Sequence, residues 1–286
     1  MSILKKFFKQ QAFGDVKGYN GGVSFGGPPP MTTWCYLVDG VLIDSGTRHL
    51  RKPLIECLIK DKPDKILITH HHEDHSGNAG PLQKQLGIPV YCHPLTVEKL
   101  KTSFPIKPYQ HIIWGKSAIV KAEPYGEMIH GNHLRFRPIH TPGHSVDHTV
   151  YLEETCGMLF SGDLFLGERI KFFRADECFE DQILSIRRVL TFDFCHIFCA
   201  HRPIMDKGKE ALSRKLDFLE NFYGKVKDLR AQGLQTKAIT KQLDKKDERF
   251  VKWFTLNNAC FAHMVSSAVS LADKEAGLAE QQNDTH

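Results

Sequence analysis

Four side chains able to hold a metal ion stand within six residues of one another in Leu67-Ile-Thr-His70-His71-His72-Glu73-Asp74-His75-Ser76-Gly77. Imidazole nitrogen and carboxylate oxygen are the donors that zinc and similar divalent cations accept, and an H-x-H-x-D-H run straight after an apolar strand presents them in quick succession. His70 and His72, two apart at a strand's end, can aim their rings at one ion. Asp74 and His75, entering the next helix, can face a second. A local run cannot close two sites, so further donors must come from distant segments. Three motifs supply them, each after an apolar β-type run: His144 in Thr141-Pro-Gly-His144, Asp163 in Ser161-Gly-Asp163, and His201 in Cys199-Ala-His201. The chain holds 16 histidines, and several of them are clustered at these points rather than scattered.

The elements that must position these groups read as follows. Thr33 to Val38 and Val41 to Asp44, joined by Asp39-Gly40, predict a β-hairpin with a type I′ turn. Leu50 to Ile59 has helical spacing, Pro63 interrupts, and Lys65 to Thr69 is a short buried strand that delivers the histidine run. A helix to about Leu86 and a strand Pro89 to Cys92 follow. Strand-like runs then recur at Leu134 to Ile139, Thr149 to Leu152 and Met158 to Ser161, with a helix over Phe179 to Leu190 before the strand Cys195 to Cys199. This alternation makes an α/β chain. Beyond His201, Leu212, Leu216, Leu219, Phe222, Val226 and Leu229 recur at helical steps until Gly233 stops the helix. A short helix Leu234 to Leu243, with Thr236 as its cap, and a long one Phe250 to Leu271 complete a helical C-terminal region. The polar stretch from Lys274 is expected to fray.

Composition excludes several classes. An apolar fraction of 41% and a charged fraction of 25% are those of a globular protein, and no run approaches the roughly 18 apolar residues that would span a bilayer. Lys5, Lys6 and Lys9 surround Phe7 and Phe8, yet no apolar h-region follows, so a secretory signal is not expected and the cytoplasm is the expected compartment. Eight cysteines without CxxC spacing suit reduced thiols better than a disulfide framework. The net charge of +5 is modest and permits an anionic substrate without demanding nucleic acid.

In order and interval, H-x-H-x-D-H, T-P-G-H, S-G-D and the late histidine resemble the metallo-β-lactamase superfamily over residues 21 to 205. The resemblance implies a four-layer αβ/βα sandwich, an α/β (α+β) fold, over 21–205. It leaves 1–20 as an N-terminal extension, 206–273 as a helical C-terminal extension and 274–286 as a disordered tail. It further implies that His70, His72 and His144 hold a first metal, that Asp74, His75 and His201 hold a second, and that Asp163 bridges them. Two divalent ions follow, zinc first, with manganese or iron as alternatives. Asp44 matches the family's early aspartate and would orient a ligand by hydrogen bonding rather than bind metal. The chain departs from the family at Cys199-Ala200-His201-Arg202, where relatives commonly carry P-G-H-G. Asp163 argues against native antibiotic hydrolysis, and His72 against the flavodiiron branch, which uses Glu there.

Two cations sharing a water would lower its pKa towards about 7, so a bridging hydroxide attacks while Asp74 orients or shuttles its proton. The resemblance implies hydrolysis of an ester or thioester on a small molecule, as in glyoxalase II-like proteins. Phosphodiester cleavage by a lactamase-like endoribonuclease acting on RNA, or lactone hydrolysis, is the alternative; an iron-dependent sulfur dioxygenase ranks lower. Membrane partners are not expected, and oligomeric state is not legible. Among the remaining residues, His71 and Glu73 are expected to point away from the ligands. Cys199 is expected to be an inert buried thiol, and Trp114, Phe172 and Phe173 core residues. His140 and His148 read equally as ligand support or as structural histidines.

Overall fold

The computed structural model describes residues 5–170, 172–244 and 249–283. They group into two compact units. Of these, the first comprises residues 5–141, 146–166 and 192–209, and the second 142–145, 167–170, 172–191, 210–244 and 249–283.

The first unit is built on two sheets. One is seven-stranded, in the order β1 (Lys5–Phe13), β2 (Val16–Ser24), β3 (Thr33–Val38), β4 (Val41–Ile43), β5 (Lys65–Leu67), β6 (Val90–Cys92) and β7 (Ala122–Pro124). Neighbours are antiparallel as far as β4 and parallel from β4 onward. The second sheet comprises β8 (Ile129–His130), β9 (Arg135–His140), β10 (Thr149–Glu153), β11 (Met158–Gly162) and β12 (His196–Cys199), and only its β11–β12 pair is parallel. Aromatic side chains from both sheets fill the space between them: the Tyr36 ring lies 5.2 Å from Phe198 and 6.0 Å from Phe160. On the outer face of the larger sheet, Leu42, Ile66 and Val90 pack against Leu54 and Leu58 of the helix Arg51–Asp61 and Leu82 of the helix Ala79–Leu86. Strands buried on both faces explain why β4 and β5 read as continuous apolar runs instead of alternating ones.

The expected hairpin is present, with Asp39 and Gly40 at φ +50° and +78°, the left-handed values a type I′ turn requires. The expected N-terminal extension, by contrast, contains β1 and most of β2, which pair from Lys5 with Ser24 to Phe13 with Val16. β1 is an edge strand whose residues are mostly exposed and rich in lysine and glutamine, so it lacks the apolar alternation by which strands are recognised.

The parallel pairing of β11 with β12 shifts register between Phe160 and Gly162. Asp163 follows directly on this irregularity. Gly162 has φ +46°, and a Cβ there would stand 2.7 Å from His148 Nε2 and 2.9 Å from Thr69 Oγ1. Gly162→Ala is therefore expected to cost about 2–3 kcal/mol, from overpacking plus a left-handed backbone, as read from the urea midpoint.

The second unit is helical, with the segments Phe179–Val189, Gly208–Ala231, Thr236–Leu243, Arg249–Phe254 and Phe261–Asn283. Leu212, Leu219, Phe222, Val226 and Leu229 are buried, as their spacing predicts. Ion pairs join Arg187 to Glu220 and Arg230 to Asp273, each at 2.8 Å. Three expectations need correction. Thr236 is the first helical residue, and Gln235 occupies the cap position. The long helix from Phe250 is two helices, broken where Leu256 and Asn257 take positive φ and Cys260 N donates to Phe173 O at 3.0 Å. The last helix continues past Lys274 to Asn283, while residues 284–286 lie outside the described residues.

Candidate metal centre

β5 ends at Leu67, and the chain turns through Thr69 and His70 into the short helix Glu73–Ser76. His70, His72, Asp74 and His75 are all buried there. Histidines and carboxylates leave water only where something compensates their polarity, so the local run must meet partners. Within the first unit it meets Asp163, just after β11, and His201, just after β12. Ligand atoms of His70, His75 and Asp163 lie within 4.8 Å of one another, and so do those of Asp74, His75 and His201.

The spacing of these atoms is informative. His75 Nε2 stands 3.4 Å from Asp163 Oδ1 and 3.7 Å from Asp74 Oδ2. His201 Nε2 is 3.4 Å from Asp74 Oδ2 and 3.5 Å from Asp163 Oδ1. These separations are long for charge-assisted hydrogen bonds. A tetrahedral cation with bonds of roughly 2.0–2.1 Å holds its donor atoms about 3.3–3.4 Å apart. His75 Nε2 is buried and makes no hydrogen bond among the described residues. The arrangement fits a cation better than it fits direct pairing.

The imidazoles of His75 and His201 are also turned so that a lone pair faces inward. Asp44 Oδ2 lies 2.7 Å from His75 Nδ1, so the proton sits on Nδ1 and Nε2 is left to act as donor atom. Thr32 O, 2.8 Å from His201 Nδ1, fixes the same tautomer, because a carbonyl can only accept. His70 Nε2 and His72 Nδ1 face each other at 2.8 Å. His144 lies in the segment 142–145, grouped with the second unit, where its Nδ1 is 3.1 Å from Glu177 Oε1. Asp44 does more than orient His75: Oδ1 also accepts from Thr69 N at 2.8 Å, fixing the strand end that carries the motif.

Electrostatics agree with the geometry. Burial opposes ionisation of Asp74, but His75 and His201 outweigh it and its carboxyl is held below the usual range. Burial likewise opposes charging of His75 and His201, yet the surrounding carboxylates win and both are pushed well above the ordinary histidine value. Asp44, Asp74 and Asp163 thus demand positive charge in their midst, which protons or cations can supply.

Several neighbours were not foreseen. Glu73, expected to face away, is 1% exposed. His71 is held by Asp147, which accepts from its backbone N at 3.0 Å and lies 2.9 Å from its Nδ1. Thr96 Oγ1 and Lys99 Nζ donate to the same carboxylate at 2.8 and 3.0 Å. Burial opposes ionisation of Asp147, but His71 and Lys99 overcome it and hold its carboxyl far below the usual range. Asp147→Ala is expected to cost about 2–3 kcal/mol at neutral pH, because it strands buried donors. Since the folded pKa is depressed, that stabilisation is fully present above about pH 4 and fades as pH falls further, which denaturation of both proteins between pH 7 and pH 3 checks. His148 proves to be a support: its Nε2 accepts from Asp163 N at 3.0 Å, while Nδ1 meets Thr141 Oγ1 at 2.8 Å. Cys199 is buried, with its thiol pushed up mainly by that burial. Phe173 is buried as expected, whereas Phe172 is 44% exposed. Trp114 is buried with its ring 6.1 Å from His201, so it borders the centre as well as the core.

Buried imidazoles and carboxylates gathered at strand ends of a two-sheet α/β fold define a metallo-hydrolase type of protein. The sequence pattern of the metallo-beta-lactamase superfamily matches residues 28–201, and the chain belongs to that superfamily. A hydroxyacylglutathione hydrolase from Serratia proteamaculans is 27% identical over 219 residues, covering 74% of this chain and 77% of that protein. A probable metallo-hydrolase from Bacillus subtilis is 28% identical over 141 residues, covering 48% of this chain and 63% of that one. Among solved structures, a metallo-beta-lactamase family protein from Thermus thermophilus superposes with a TM-score of 0.56 at 18% identity, covering 96% of this chain and 95% of the other. At that identity the likeness speaks to fold. No helix among the described residues is long and apolar enough to cross a membrane.

Proposed function

We propose that this chain is a dinuclear metal-dependent hydrolase acting on an ester or thioester of a small molecule. The observation that carries the reading is the inward-facing pair His75 Nε2 and His201 Nε2, spaced from Asp74 and Asp163 as donors around a cation are spaced. His70 and His72, with His144 steadied by Glu177, would hold the first ion; Asp74, His75 and His201 the second; Asp163 both. Zinc suits this nitrogen-rich set, with manganese or iron as competitors. Bound there, two such cations supply Lewis acidity and lower the pKa of a water to near 7.

The chain's own groups do the rest. Asp44, Thr32 and Glu177 fix the tautomers of His75, His201 and His144, so the donor set is preorganised. Asp74, ionised at neutral pH and 3.4 Å from Thr33 Oγ1, is placed to accept the proton of an attacking water and pass it to the leaving group. The eight free cysteines, several of them buried, suit a reducing compartment such as the cytoplasm.

Similarity to a hydroxyacylglutathione hydrolase supports the thioester reading over phosphodiester cleavage. Turnover of a glutathione thioester, a lactone and a phosphodiester reporter by the same preparation tests it. The thioester is expected to be preferred by at least about tenfold in kcat/KM, an energy difference of about 1.4 kcal/mol. Preference for the phosphodiester would reverse the assignment.

A further inference from the structure

The geometry points to a second binding site in the first unit, a basic surface hollow that takes a phosphorylated small molecule. A solvent-open surface hollow of about 430 Å³ is lined by Lys6 from β1, by Arg48 and His49 just before the helix Arg51–Asp61, and by Arg51, Lys52 and Ile55 within it, with Glu56 as the one acid.

Charge is what sets the hollow apart from an ordinary solvated face. None of Lys6, Arg48, Arg51 and Lys52 forms an ion pair among the described residues, whereas Arg137, Arg187, Arg214 and Arg230 elsewhere are each held by a carboxylate. The helix that opens into the hollow has no acidic residue in its first turn and no side-chain cap. It carries Arg51 and Lys52 there instead, against the positive end of its own dipole. Arg51 is lowered from its ordinary value by burial and by Arg48, and His49 by burial, Lys6 and Arg48. Cations crowd this hollow although each neighbour makes the next less favourable.

A bound anion relieves all of these costs at once. The planar guanidinium of an arginine pairs bidentately with two oxygens of a phosphate group, and four cations beside one acid match a ligand with at least two negative charges. The cations surround one hollow and do not run along a stripe, which fits a small molecule better than a nucleic-acid strand. Arg48 N donates to Trp114 O at 3.1 Å, and the Trp114 ring stands 6.1 Å from His201, so one backbone contact joins the hollow's lining to a residue beside His201. The site stands whichever bond the centre cleaves.

Isothermal titration of the full-length, metal-loaded protein with inorganic pyrophosphate at low salt tests the proposal. One saturable site is expected, weakened at least about tenfold in Arg48→Gln and in the exposed pair Lys6→Gln/Lys52→Gln, and unchanged in Lys227→Gln of the helical unit. Circular dichroism of each variant confirms that it is folded, and the Lys6/Lys52 pair keeps the test open if Arg48→Gln is not. No saturable binding overturns the site. So does binding equally tight in all folded variants, which would put the anion at the metal centre. A short RNA that binds more tightly than pyrophosphate and is lost with the same substitutions would overturn the small-molecule assignment.

Discussion

Asp163→Asn is expected to lower kcat/KM about a thousand-fold while leaving the protein folded. The substitution keeps shape and volume but removes one charge from a buried cluster in which Asp163 Oδ1 faces both His75 Nε2 and His201 Nε2. Loss of a group that helps hold two cations forfeits several kcal/mol of transition-state stabilisation, and each 1.36 kcal/mol is tenfold in rate. His148 would still hold the backbone N of residue 163, so the strand end that carries the side chain stays anchored. Steady-state kinetics with the preferred reporter, alongside metal analysis of the variant, gives the answer. An activity within about threefold of the parent would remove Asp163 from the centre.

The second large effect is expected at Asp44, and there stability and metal binding fall together. Its carboxylate accepts from Thr69 N and Thr69 Oγ1 and from His75 Nδ1, all in a fully buried setting. Asp44→Ala strands these donors, at about 1–3 kcal/mol for each buried group left unsatisfied, for a total of roughly 3–5 kcal/mol. Against a typical stability of about 5–15 kcal/mol, such a loss lowers the yield of folded protein. Asp44→Asn separates the two roles. Asp44 has φ +60°, a conformation asparagine tolerates well, and the amide oxygen can still accept from Thr69 N. The amide NH2, however, cannot accept from His75 Nδ1. The asparagine variant is therefore expected to fold but to bind metal about 10–100-fold more weakly, as measured by chelator competition. Unchanged affinity would show that the Asp44–His75 contact does not tune the centre.

The donor residues were legible because their chemistry is local to short motifs: His70 to His75 lie in one run, and His144, Asp163 and His201 each follow a strand with a tight turn. The residues that orient them were harder to read. Asp44 stood out by its place in the family pattern, but Glu177 sits in an irregular segment with no periodic signal, and Thr32 contributes only a backbone carbonyl. Asp147 is adjacent to a recognised motif, yet its three partners are 51, 48 and 76 residues away, which no local pattern encodes. On the fold side, buried strands announced themselves by apolar content, whereas β1 did not, because an exposed edge strand carries polar residues on both faces. The break in the last helical region turns on Leu256 and Asn257 adopting left-handed backbone, and nothing in the surrounding helical periodicity signals it.

A two-cation centre formed by these imidazoles and carboxylates requires bound metal, which elemental analysis of the protein purified without added metal measures. About two divalent ions per chain are expected, with zinc foremost, and fewer in Asp163→Asn. A chain that carries no tightly bound metal, and gains neither metal nor activity when zinc, manganese or iron is supplied, would contradict such a centre.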